Sequence, residues 1–189
     1  TQYIEVVMTN LDICHDLGIP KLRADTISPP TEIPGGMDYE TCFWRTAHAF
    51  REAAKVCGAH GIDFIWEFEP GFLFNKPSEV VRMCYAVGHK NFGVLFDSCH
   101  AHMCAVVGAR QMGEKETLPG GVVQFAHMLT GWIKHVHFID SDETLQHPPH
   151  DVVALALSRI ERGILGLHPE RDHDLVRRHP YLGIAGGGH

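Results

Sequence analysis

A short apolar run that ends abruptly in polar side chains constrains this chain more than any other feature. Residues 92–96 (FGVLF) lead directly into Asp97, and His100 follows three residues later. A continuous apolar run of this length is typical of a parallel strand that is covered on both faces. Parallel sheets bind their ligands beyond the carboxyl ends of the strands. The run therefore predicts a buried strand that delivers Asp97 and His100 to a functional site.

Two further apolar runs repeat this pattern. The segment IDFIWEFEP ends in Glu67 and Glu69, and the segment WIKHVHFID carries His135 and His137 on one face of its strand. Side chains two residues apart on a strand project to the same side. Three predicted strands of one chain therefore end in carboxylate or imidazole groups.

Amphipathic helices are predicted between the strands. Apolar residues recur at helical spacing, with stop or start signals from Gly18, Asp38, Gly61 and Pro77. The predicted strands are residues 19–25, 62–68, 92–97 and 133–139, and the predicted helices are residues 3–17, 39–60, 77–87 and 122–129. This alternation predicts an α/β fold with a parallel sheet and right-handed crossovers.

The composition is that of a water-soluble globular domain. The chain has 189 residues, of which 44% are hydrophobic, and its net charge is -7. No apolar run approaches the ~20 residues that span a bilayer, and the amino-terminal residues lack the pattern of a signal peptide, so we expect a cytoplasmic protein without membrane contact. The acidic balance argues against nucleic acid as a partner. The six cysteines form no CxxC pair, which indicates reduced thiols.

Glu67, Asp97 and His137 form the candidate metal site. Each lies at the carboxyl end of its own predicted strand, so the three side chains converge if the strands are neighbours. A strand-end carboxylate is more often a helix cap, and a lone strand histidine is more often a core residue. Their coincidence on three strands instead favours a site, and two carboxylates with an imidazole suit Mn, Mg, Co or Zn.

Three neighbouring residues are candidates for supporting roles. His100 could bind the metal or the substrate, or be a solvated loop residue. Glu69 could donate or accept a hydrogen bond near the metal, or simply face water. His135 could support His137 from behind. Substrate binding is therefore assigned to His100, Glu69 and His135 as a hypothesis.

The motifs WEFEPGFLFN (66–75), GVLFDSCHA (93–101) and HVHFID (135–140) together resemble the sugar phosphate isomerase/epimerase family of xylose isomerase-like TIM barrels. The resemblance covers residues 1–145 and implies a divalent metal bound by Glu67, Asp97 and His137. It also implies that Glu67 acts as a catalytic acid/base and that His100, beside the metal or the substrate, is a second catalytic residue; the substrate is a sugar or sugar phosphate.

The resemblance also implies that the barrel is incomplete. A whole barrel needs eight βα units and ~250 residues, whereas this chain corresponds roughly to strands 4 to 7. The fourth metal ligand of the family, a glutamate on the eighth strand, has no counterpart, since Glu161 and Glu170 lack a strand context. We expect residues 146–189 to be a divergent, weakly structured segment. The open side of the partial barrel predicts either a homodimer that covers it or poor solubility.

Three functions remain open from the sequence. The first is a metal-dependent sugar isomerase or epimerase, in which a proton moves next to a carbonyl. The second is a non-catalytic metal- or sugar-binding remnant, because a two-base proton transfer needs a second glutamate. The third is phosphodiester hydrolysis at apurinic sites in DNA, which usually needs more than one metal and basic residues along the strand, and the charge of -7 disfavours it.

Overall fold

Helices and strands alternate throughout residues 2–140, which are the residues that this computed structural model describes. In chain order the elements are α1 (Gln2–Leu17), β1 (Lys21–Ala24), α2 (Tyr39–Ala59), β2 (Asp63–Glu67), α3 (Pro77–Val87), β3 (Phe92–Asp97), α4 (Ser98–His102), α5 (Gly121–Met128) and β4 (Ile133–His137). A single helical turn at Pro34–Gly36 interrupts the loop after β1, and a π-helical turn at Met103–Val107 follows α4. The predicted boundary at residue 145, the predicted segment 146–189 and the residues Glu161 and Glu170 within it lie outside the described residues.

The four strands form one parallel sheet in the order β1-β2-β3-β4. Each strand pairs with its neighbour in sequence, and all three pairings are parallel. Helices connect the strands, as the predicted βαβ units require. The structure thus confirms an α/β fold of the barrel type, and the sheet comprises four of the eight strands of a complete barrel.

Aromatic side chains form the core between the sheet and α2. The Phe50 ring of α2 lies 5.5 Å from Phe64, 5.9 Å from Trp66 and 5.9 Å from Phe92, measured between ring centroids. All six residues of β3 are buried, which agrees with the predicted strand that is covered on both faces. β3 is therefore packed along its whole length, and its carboxyl end carries Asp97.

The last strand is shorter and more exposed than its sequence predicts. β4 ends at His137 instead of residue 139, and Phe138 and Ile139 are half exposed. β4 is at the edge of the sheet that residues 2–140 form, so it has a neighbouring strand on one side only.

All six cysteines are thiols, and five of them are buried, as the sequence indicates. Burial raises the pKa of the Cys84 thiol to about 12 and the pKa of the Cys57 thiol to about 11. These thiols are therefore inert packing groups in the folded protein. Within residues 2–140, no helix combines the length and the apolar composition that crossing a bilayer requires.

Candidate metal centre

Glu67, Asp97 and His137 meet at the carboxyl edge of the sheet. They are the last residues of β2, β3 and β4, and one ligand atom of each lies within 4.8 Å of the others. His137 Nδ1 lies 3.5 Å from Glu67 Oε1 and 3.8 Å from Asp97 Oδ2. Two ligand atoms that are each ~2.1 Å from one ion can be at most ~4.2 Å apart, so a common ion fits between these pairs.

The two carboxylate oxygens of Asp97 have different roles: one caps a helix, and the other faces the candidate site. Its Oδ1 accepts hydrogen bonds from the backbone N–H of Cys99 at 2.8 Å and of His100 at 3.0 Å, which fixes the start of α4. Its Oδ2 is buried and has no hydrogen-bond partner. The side chain as a whole is fully buried, so this oxygen is presented to the site in one orientation.

Glu67 is the second carboxylate of the candidate site. It is 3% exposed; its Oε1 faces His137 and His100, and its Oε2 lies 2.6 Å from Arg23 Nε. The buried Oδ2 of Asp97 has no such partner, which is costly, and such groups usually coordinate metals or pair with charges. The donor set of two carboxylates and one imidazole therefore fits a divalent metal of the Mn, Co or Zn type.

Ser98 connects the end of β4 to the end of β3. Its hydroxyl donates to the carbonyl oxygen of Ile139 at 2.6 Å and accepts from the N–H of Ile139 at 2.8 Å. Ser98 is buried, and it follows Asp97 directly. This pair of bonds holds the segment after His137 against β3, so it helps to place the imidazole beside Asp97.

Replacing Ser98 by alanine is expected to destabilise the fold by about 1–2 kcal/mol, because both backbone groups of Ile139 lose a hydrogen bond in a partly buried place. Urea unfolding followed by circular dichroism measures this change. Thr130→Ala is the matched control, since its exposed hydroxyl bonds only to the nearby His127 carbonyl, and we expect a change within ~0.5 kcal/mol. Equal effects of the two changes would contradict the role of Ser98.

His100 lies on the first turn of α4, next to the carboxylates. Its Nδ1 is 3.7 Å from Glu67 Oε1, is buried, and has no hydrogen-bond partner. About a fifth of the side chain is exposed, so the imidazole can also reach a ligand from solvent. The structure thus places His100 at the site. Its distance from Glu67 is too long for a direct hydrogen bond.

Arg23 and Asp25 are site residues that the sequence reasoning missed. Arg23 donates to both carboxylate oxygens of Asp25, and it approaches Glu67 and Glu69 from the β1 side. The hydrogen bond to Asp25 raises the pKa of Arg23, burial acts in the opposite direction, and the charges of the carboxylates raise it further. The sequence pattern that could have indicated them is the alternation of Lys21, Arg23 and Asp25. These residues share one face of a predicted strand that, like the others, ends in a carboxylate.

Glu69 lies on the Arg23 side of Glu67. Its Oε1 is 3.5 Å from Arg23 Nη2, and one of its oxygens lies within 4.8 Å of Asp25 and Glu67 ligand atoms. Burial raises the pKa of the Glu69 carboxyl, His100 lowers it, and the charges of Asp25 and Glu67 raise it further. Glu69 thus belongs to an acidic group around Arg23, which is distinct from the group around His137.

His135 lies one strand pleat behind His137. The two imidazole rings are 5.3 Å apart in an edge-to-face arrangement, and His135 is exposed. It lines an open groove of about 320 Å³ on the inner face of the sheet, together with Ile65 and Leu95. This position allows contact with a ligand in the groove, so substrate binding by His135 stays a prediction.

A family model described as "Xylose isomerase-like TIM barrel" matches residues 1–169. Among curated proteins, no significant relative was found. The similar solved structures include an AP endonuclease of family 2 from Brucella melitensis, with 20% identity and a TM-score of 0.58, whose alignment covers 86% of this chain and 58% of that one.

Two further solved structures resemble the chain. D-psicose 3-epimerase with D-tagatose from Clostridium cellulolyticum H10 has 20% identity and a TM-score of 0.56, and the match covers 82% of this chain and 52% of the epimerase. A structure described as IOLI protein with a binding zinc atom has 14% identity and a TM-score of 0.51, over 86% of this chain and 68% of that protein. These likenesses show the fold, and the chain spans a little over half the length of the first two proteins.

Proposed function

The chain belongs to the xylose isomerase-like TIM barrel family, and from this premise we propose that it is a metal-dependent sugar isomerase or epimerase. In this proposal one divalent metal is bound by Glu67, Asp97 and His137. The substrate is a sugar or sugar phosphate that binds at the carboxyl edge of the sheet. One observation carries the proposal: the ligand atoms of these residues lie within 4.8 Å of one another, and the Asp97 Oδ2 among them is buried without a hydrogen-bond partner.

Solved structures of similar fold are consistent with this choice. One of them is a D-psicose 3-epimerase crystallised with D-tagatose, and another contains a bound zinc atom. A bound metal of this kind polarises a sugar carbonyl and its neighbouring hydroxyl. We infer a divalent metal and a sugar as ligands of this chain, because its two carboxylates and one imidazole form a hard-to-borderline donor set.

The residues around the site have separable roles in the proposed reaction. Glu67 takes the proton from the carbon next to the carbonyl and delivers it to the carbonyl carbon, while the proton of the neighbouring hydroxyl moves to the carbonyl oxygen. This role falls to Glu67 because its carboxylate is the most central group of the site. His100 hydrogen-bonds a hydroxyl of the substrate with the imidazole that lies 3.7 Å from Glu67. Burial of Glu67 and Asp97 keeps bulk water from both carboxylates, which strengthens their interactions with bound charge.

Phosphodiester hydrolysis on DNA is less well supported. Three carboxylates, those of Asp25, Glu67 and Glu69, lie around one arginine, Arg23, and the carboxylate of Asp97 lies beside Glu67 at the candidate metal centre. A negatively charged strand would be repelled by this surface, and DNA-binding sites instead present Lys and Arg to the phosphates. The local charge thus agrees with the overall charge of -7 in disfavouring a polyanionic strand as the substrate.

Proton exchange in heavy water tests the proposed reaction. The Mn-loaded protein is incubated with ketoses and aldoses, with and without a phosphate group, and NMR follows deuterium at the carbon next to the carbonyl. We expect exchange on one sugar class, and we expect His100→Gln to slow it by about 100-fold while retaining the metal. His127→Gln, at an exposed histidine of α5, serves as the matched control and keeps the wild-type rate.

The outcome also separates catalysis from simple binding. A protein that retains one metal per chain but exchanges no proton on any sugar would contradict the isomerase and favour a non-catalytic binding remnant. Exchange that is unchanged in His100→Gln would contradict the role of this imidazole. The metal content of each variant is measured in the same samples. A slower exchange that is caused by loss of the metal is thereby distinguished from one that is caused by loss of the imidazole.

A further inference from the structure

Arg23 lies between three carboxylates, and one of them also belongs to the candidate metal centre. Its Nε and Nη2 donate to the two oxygens of Asp25 at 3.1 and 2.7 Å. Its Nη2 lies 3.5 Å from Glu69 Oε1, and its Nε lies 2.6 Å from Glu67 Oε2. One guanidinium thus faces three anionic side chains, of which Glu67 is almost completely buried.

Arg23 and Glu67 form an ion pair without a hydrogen bond. Glu67 Oε2 has no hydrogen-bond partner, although Arg23 Nε is within ion-pair distance, because the Nε–H of Arg23 is directed to Asp25. The guanidinium therefore balances the charge of Glu67 without satisfying its lone pairs. A metal ion at the same place would balance the charge of Glu67 and also coordinate its lone pairs.

Without the arginine, the three carboxylates have the arrangement of a cation site. One oxygen each of Asp25, Glu67 and Glu69 lies within 4.8 Å of the others. Three carboxylate oxygens suit a hard cation such as Mn²⁺ or Mg²⁺. Glu67 is common to both groups: its Oε1 is near His137, and its Oε2 is near Arg23.

We propose that the guanidinium of Arg23 occupies the position of a second cation beside Glu67 and thereby limits the centre to one metal ion. The inference rests on the metal site of the proposed function, since Glu67 is shared between the two positions. A fixed positive charge at this place repels a second divalent ion. Two-metal displacement needs ions ~3.5–4 Å apart on a shared ligand, so Arg23 restricts the site to one-metal chemistry.

The test is the number of metal ions that each variant binds. Arg23→Gln removes the charge and keeps a polar side chain, and it is expected to bind one more Mn²⁺ per chain than the wild type. Elemental analysis after equilibrium dialysis gives this number. Electron paramagnetic resonance of the bound Mn²⁺ gives a second readout, because two ions that share Glu67 produce a spin-coupled signal that a single ion cannot produce.

Matched variants separate the charge from other effects. Arg23→Lys keeps the positive charge and is expected to bind no extra ion, whereas Arg23→Ala removes the charge and is expected to show the same gain as Arg23→Gln. Asp25→Asn added to Arg23→Gln removes the gained ion, because one of its three carboxylates is lost. Arg82→Gln removes an arginine that pairs with Glu40 at the surface, and it leaves the metal number unchanged.

The difference between variant and wild type decides this inference, whatever the wild type itself binds. An equal metal number in wild type, Arg23→Gln and Arg23→Ala would overturn it, and so would an extra ion in Arg23→Lys. The metal content of the wild type instead tests the proposed function. The two proposals can therefore fail separately in one experiment.

Discussion

Asp97→Asn is expected to weaken metal binding by more than about 100-fold while the fold remains intact. Loss of an outer hydrogen-bond partner alone typically weakens a metal site by 10–100-fold, and Asp97 is itself a proposed ligand. The asparagine amide oxygen can still accept the two N–H bonds from Cys99 and His100. Its amide nitrogen, however, places a neutral donor where the unpartnered Oδ2 now lies.

The comparison with two other changes makes this prediction specific. Asp97→Ala removes both the ligand and the cap of α4, so we expect it to lose the metal and also to be destabilised. Asp63→Asn alters an aspartate at the opposite end of β2, where it pairs with Lys134, and it is expected to keep the wild-type metal content. Elemental analysis after dialysis against Mn²⁺ or Zn²⁺ measures all three. Full metal content in Asp97→Asn would contradict the proposed centre.

Phe68→Ala is expected to destabilise the protein by about 3–5 kcal/mol, a large part of the stability of a domain of this size. The Phe68 ring is fully buried, and its centroid lies 5.1 Å from Phe125 of α5 and 5.9 Å from Phe96 of β3. Its removal leaves a cavity directly beneath the carboxyl ends of β2 and β3. Urea unfolding measures the loss.

An exposed aromatic residue provides the control for this change. Tyr85 is 69% exposed and touches only the edge of the Trp132 ring among the aromatic side chains, so Tyr85→Ala is expected to cost less than about 1 kcal/mol. If Phe68→Ala were no more destabilising than Tyr85→Ala, the packing described between the sheet and α5 would be wrong. A weakened metal site in Phe68→Ala would in addition show that the core positions Glu67.

The candidate ligands could be predicted from the sequence because each is the last residue of an apolar strand. The predicted strand at residues 92–97 and the predicted helix at residues 77–87 agree with β3 and α3 at both ends. The parallel sheet could be predicted from the alternation of strands and helices, and parallel strands present their carboxyl ends at one edge. These conclusions needed only local periodicity and one rule of topology.

The sequence alone therefore determined the α/β class, the order of the elements and the three strand ends that carry Glu67, Asp97 and His137. Only the tertiary structure decided that Arg23 faces Glu67 and that Ser98 holds the segment after β4. The periodicity of a strand determines which side chains share a face. It carries no information on which side chain of the neighbouring strand lies opposite, because that depends on register and side-chain packing across the whole sheet.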